Sequence, residues 1–225
     1  MPDAIPTRES LSVVERRVLG VLIEKQKTSK TADAYPMTLN SLTTGCNQKS
    51  NRDPVLELSD EDVEETLTGL QRKSLVMKMT GGRADRFRHL LYEAWSASKV
   101  EMAILAELLL RGPQSVGDLR GRASRMEEIA DLDQLQGFLK VLVERKLVVF
   151  LSEPERRGAM VTHGFHAAEE MPAIVAMAAG SSSPMPVSVP RPTASPSEIE
   201  QLRGEVAELR KQLMELRREL GLAIN

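Results

Sequence analysis

The feature that most constrains this chain is that it repeats itself. Laid over each other, LSVVERRVLGVLI (11–23) and ASKVEMAILAELL (97–109) set Val14 on Val100, Glu15 on Glu101, Val18 on Ile104, Leu19 on Leu105 and Leu22 on Leu108, all at an offset of 86. Apolar residues at i, i+4, i+5 and i+8 mark one buried helical face, so each segment predicts a long helix. Downstream, TLNSL (38–42) matches SVGDL (115–119) at offset 77, and LQRKSLV (70–76) matches LVERKLV (142–148) at offset 72. Shrinking offsets mean equivalent elements joined by loops of unequal length. The first copy is nine residues longer before its second helix and five longer after it. A unit written twice is expected to fold the same way twice.

Each copy reads as a long helix, a short helix, an amphipathic third helix and a β-hairpin. In the first copy Ser59 is placed to cap the third helix, with Asp60, Glu61 and Asp62 in the first turn and Asp62 completing a capping box. Val63, Leu67 and Leu70 give that helix its apolar face. LVMKM (75–79), the turn TGGRAD and RFRHLLY (86–92) predict the hairpin; LVVFL (147–151), SEPERRGA and MVTH (160–163) predict its counterpart. Three helices closed by a two-stranded hairpin is the winged-helix plan. The expected class is therefore mainly α with small β-hairpins (α+β): two tandem winged-helix domains, 1–95 and 96–168, followed by further segments.

Composition changes after residue 180. From Gly180 to Ser197 five of eighteen residues are Pro and six are Ser, so 169–197 reads as an apolar segment running into a Pro/Ser-rich linker. Beyond it Ile199, Leu202, Val206, Leu209, Leu213, Leu216 and Leu220 alternate spacings of three and four. That is an a/d heptad seam, and it makes 198–225 a coiled-coil-like helix capped by Ser197 and Glu200. Val206 at a with Leu202 and Leu209 at d favours a parallel homodimer, in which Glu205 meets Arg210 of the partner.

The runs YPMTLNSLTTGCNQKSNRDPV and LSDEDVEETLTGLQRKSLV, and later LLLRGPQSVGDLRGRASRM, closely resemble the bacterial YceH family, uncharacterised proteins of tandem winged-helix fold. The resemblance spans roughly Leu11 to His166. It implies the fold and a cytoplasmic setting, and it brings no catalytic residue, cofactor or ligand with it. The linker and heptad tail look like additions outside the shared region.

Little in the sequence points to catalysis. Cys46, the only cysteine, follows Gly45 at the end of the short helix, where it reads as a small packing residue; a reactive thiolate favours a helix N-terminus and a histidine base. A single cysteine suits a reducing compartment. His163 and His166 are three apart but have no third ligand, so no metal is expected. The chain has no phosphate-loop lysine motif, dinucleotide glycine fingerprint or zincin helix. Acids in DEDVEE (60–65) are accounted for by the helix start alone. The opening MPDAIPTRESLS lacks the basic and apolar regions of a secretory signal, and no apolar stretch reaches the ~20 residues that span a membrane. The expectation is a non-enzymatic protein without cofactor.

Two binding functions remain. The net charge is only -2, so any site for nucleic acid is local. From Gln71 to Arg88 there are six basic residues against one acid, Asp85, a net of +5 on and beside the first hairpin. Lys49, Asn51 and Arg52, in the loop enlarged relative to its sibling, and Lys78, Arg83, Arg86 and Arg88 on the hairpin are the candidate contacts to double-stranded DNA. The third helix argues against insertion into a major groove, because Asp60, Glu61, Asp62, Glu64 and Glu65 would be brought near phosphates. Residues 11–95 hold 13 basic and 12 acidic groups, and residues 97–166 hold 10 of each. The expectation is a DNA-associated regulator docking through the first wing. The alternative is a protein–protein adaptor that uses the near-neutral units and a dimerising tail.

Overall fold

The computed structural model describes residues 9–181. Eight helices and six short strands run in two copies of one order among them. The first copy comprises α1 (Val13–Thr28), a 3-10 turn (Ala32–Ala34), β1 (Met37–Thr38), α2 (Leu39–Cys46), α3 (Asp60–Arg72), β2 (Val76–Met79), β3 (Arg86–His89) and α4 (Leu91–Trp95). The second comprises α5 (Lys99–Arg111), β4 (Gln114–Ser115), α6 (Val116–Ala123), α7 (Leu132–Glu144), β5 (Val148–Phe150) and β6 (Met160–His163), and α8 (Met171–Ser181) follows. The molecule is mainly α, with two three-stranded antiparallel sheets ordered β1-β3-β2 and β4-β6-β5.

Local chemistry repeats with the sequence. Ser12 and Ser98 cap α1 and α5, each closing a capping box with the glutamate three residues on, Glu15 or Glu101. Each glutamate also pairs with the base that follows the third helix: Glu15 with Lys73 at 2.9 Å and Glu101 with Arg145 at 3.3 Å. The predicted Ser59–Asp62 box caps α3. Both third helices stop the same way. Ser74 and Lys146 take φ of 57°, and the next amide reaches back five residues, Leu75 to Leu70 and Leu147 to Leu142. This Schellman ending turns the chain directly into β2 and β5.

Three elements differ from the sequence reading. Each hairpin gains a third strand of two residues, Met37–Thr38 or Gln114–Ser115, paired in register Met37↔Phe87 and Gln114↔Val161. The return strand RFRHLLY ends at His89, because Leu90 N–H bonds to Leu75 O and the chain then winds into α4. Of the segment read as apolar run and linker, residues 171–181 are helix α8.

The two copies share one continuous apolar cluster. The residues matched at offset 86, Val18 with Ile104, Leu19 with Leu105 and Leu22 with Leu108, are all fully buried. α1 lies directly on α5: a Cβ added at Gly20 would sit 2.8 Å from Leu110 Cγ. Further ties join the copies: Leu11 N–H donates to Phe165 O at 2.9 Å, Trp95 stacks on Phe165 at 4.7 Å, and Lys27 pairs with Glu127 at 2.9 Å. Among the described residues no helix is long and apolar enough to cross a membrane.

Candidate nucleic-acid interface

The enlarged loop after α2 faces inward where an outward surface is expected. Asn47 pins it by exchanging two 2.8 Å bonds with the backbone of Leu58. Arg52 is buried: its Nη2 donates to Glu24 Oε2 at 2.6 Å and to Gln48 Oε1 at 3.0 Å, and its Nε to Gly45 O at 3.1 Å. Asn51, at φ 59°, accepts a bond from Arg111 on α5, and Asp53 N–H donates to Leu110 O at 2.9 Å. Arg52 and Asn51 are therefore corrected from contact surface to clasp. The reason is electrostatic: Glu24 is buried on α1, and only a guanidinium beside it makes that charge tolerable. Of this loop's candidates, Lys49 alone is exposed.

The hairpin residues are largely at the surface. Pairing β2 with β3 sets Met77 opposite Arg88 and Met79 opposite Arg86, so these four share the outer face, while Val76, Phe87 and His89 turn toward the core. Met77 and Met79 are 40% and 44% exposed. Arg88 reaches Met77 Sδ at 3.5 Å. Arg86 has a structural task as well, donating to the carbonyls of Asp33 at 2.7 Å and Pro36 at 2.8 Å. Lys78 lies over the Phe87 ring and meets Asp85 at 2.7 Å, a bond that raises its pKa. Arg83, in the exposed turn, has no partner among the described residues. The second hairpin is built differently. Its equivalent outer residues, Val149 and Thr162, are buried, and His166 Nε2 closes over Thr162 Oγ1 at 2.8 Å.

On α3 the acids Asp60, Glu61, Asp62, Glu64 and Glu65 are all exposed. Cys46 is buried at the end of α2, and desolvation pushes its thiol up to about 12, which leaves it inert. His163 and His166 stack at 3.8 Å. His166 Nδ1 sits 2.8 Å from Arg16 Nη1 and 3.1 Å from Glu170 Oε2, and burial lowers its pKa to about 4. Arg16 grips both oxygens of Glu170, at 2.7 and 2.8 Å, and holds that carboxyl at about 2. No group of three or more His, Cys, Asp and Glu suited to a metal ion occurs among the described residues. The seam residues Ile199, Leu202, Val206, Leu209, Leu213, Leu216 and Leu220 lie outside the described residues.

Sequence reading missed the buried polar set Arg16, Arg17, Glu24 and Arg52. A signal existed within the repeat: at offset 86, Arg16 stands where the second copy has Met102, Arg17 where it has Ala103, and Glu24 where it has Leu110. Arg17 donates to the carbonyls of Cys46 and Pro54, fastening α1 to both ends of the enlarged loop.

Residues 11–158 match the family model described as a protein of unknown function, DUF480. The chain is 50% identical over 149 residues to a UPF0502 protein of Geobacter sulfurreducens, covering 66% of this chain and 67% of that one. A UPF0502 protein of Hahella chejuensis is 43% identical over 167 residues, 70% and 75% of the two chains. One from Dechloromonas aromatica is 37% identical over 200 residues, 88% of each.

Proposed function

Since this chain belongs to the DUF480 family, described as proteins of unknown function, we propose its role from its own surface: a non-enzymatic tandem winged-helix protein that associates with double-stranded DNA through the first hairpin and dimerises through its C-terminal heptads. The asymmetry between the two hairpins carries the reading. One copy leaves its outer face open and cationic, with Arg86 and Arg88 on it and Arg83 in the adjoining turn; in the other, Val149 and Thr162, at the positions of Met77 and Arg88, are buried. Guanidinium groups beside exposed methionines suit a backbone or minor-groove contact. The exposed acids of α3 disfavour docking by that helix, so the hairpin leads.

The test is fluorescence anisotropy on a random-sequence duplex across a salt series. The expected result is an affinity that falls linearly with log salt, and an Arg83→Ala/Arg88→Ala variant whose slope is shallower by about 2, one phosphate contact per residue. These two are chosen because Arg86 also supports the backbone at Asp33 and Pro36. Absence of binding in low salt would sink this reading. The adaptor alternative would then lead, supported by Leu132 and Val141, 46% and 42% exposed on α7.

A further inference from the structure

A cleft of about 340 Å³ opens between α1, the end of α5 and α8. Its walls are mostly apolar: Val13, Leu109, Ile174 and Met177 line it, and Val13 and Met177 are 39% and 69% exposed. On α8 the lining residues recur at 173, 174 and 177, one face of a helix, with Glu170 just ahead of it. That face is turned to the cleft rather than into a core.

Arg17 also lines the cleft, and its charge is the anomaly. The other two arginines there are matched, Arg16 by Glu170 at 2.7 Å and Arg111 by Glu107 at 2.8 Å. Arg17 is only 2% exposed; among the described residues it makes no ion pair, its two bonds go to neutral carbonyls, and its Nε has no acceptor. A guanidinium carries five N–H donors, so most of this one's capacity is unspent. The carboxylates lining the cleft are Glu170, already held by Arg16, and Asp53, which is exposed at the rim. Asp53 therefore acts on Arg17 through space without closing an ion pair, and a buried cation whose only carboxylate is exposed at the rim is costly; a bound anion would relieve it.

We propose that this cleft binds a small monocarboxylate with an apolar body, its carboxylate drawn to Arg17 and its hydrocarbon laid between Val13, Leu109, Ile174 and Met177. The volume falls within the range of small-molecule pockets, and one anionic head on an apolar body is what such a lining selects. The inference is independent of DNA binding. The ligand would bridge α1, the end of α5 and α8.

Calorimetric titration of the full-length chain with octanoate, octan-1-ol and octylammonium tests it. Octanoate is expected to bind saturably at one per chain, the alcohol at least about tenfold more weakly, and the cation not at all. Ile174→Trp, which fills the cleft, and Met177→Asp, which puts a charge at its mouth, should each weaken octanoate by more than about tenfold. The melting temperature without ligand verifies that both variants keep the fold. Equal binding of octanoate and octanol, no saturable octanoate binding, or folded variants that bind as the parent does would each overturn the proposal.

Discussion

Arg52 shows how one residue's meaning depends on what lies beside it in space. Within its loop it is one more polar side chain in NQKSNRD; in the fold it is the counter-charge of buried Glu24. Arg52→Ala is expected to cost about 3–5 kcal/mol in urea denaturation, because it strands that carboxylate. The pair Glu24→Leu with Arg52→Met should recover most of the loss, since the second copy already carries Leu110 at the equivalent position. The histidines make a second prediction at this scale. Burial lowers His89 and His166 to about 4 and His163 well below 6.5, so all three bind protons more readily when unfolded. Their contribution is fully present above pH 6.5 and is lost as pH falls toward about 4; Glu170, held at about 2 by Arg16, adds a loss below pH 4.5. Urea midpoints should therefore drop between about pH 7.5 and pH 5. A flat profile there would show that the histidines take up protons equally in the folded and unfolded states.

Among the elements, the contact that organises the fold is α1 against α5. Gly20 permits it, with no side chain between the helix and Leu110. Gly20→Val is expected to destabilise by about 1–3 kcal/mol through overpacking, read from thermal or urea unfolding. An unchanged stability would mean that the two helices part without cost. The long helices, third helices and hairpins were legible because each carries its own period and its own stop signals. The two-residue strands β1 and β4 were not, since two residues hold no periodicity and exist only through their partners Phe87 and Val161. Helix α8 was hidden for another reason: MPAIVAMAAG is apolar all round, and composition alone does not show which face is covered.

For the molecule as a whole, one apolar cluster spans both copies, so residues 9–181 should unfold in a single cooperative step. A chain ending at Ser181 is expected to keep that one transition while its sedimentation mass drops from two chains to one, the heptad seam being removed. Two separate transitions would show that the copies are independent, and a full-length chain that sediments as one copy would refute the dimer. The sequence by itself determined the repeat, the family, the Ser59 cap and the predominance of helix, because each rests on the order of residues along the chain, by local period or by self-similarity. It also located a net positive hairpin. Only the tertiary structure decided which polar groups remain available: it withdrew Asn51 and Arg52 into a clasp, buried Val149 and Thr162 on the second hairpin, and left Arg17 buried without an ion pair among the described residues. The physical reason is that a charge is committed by the groups it meets across 28 to 60 residues of chain, and that distance has no signature in local spacing.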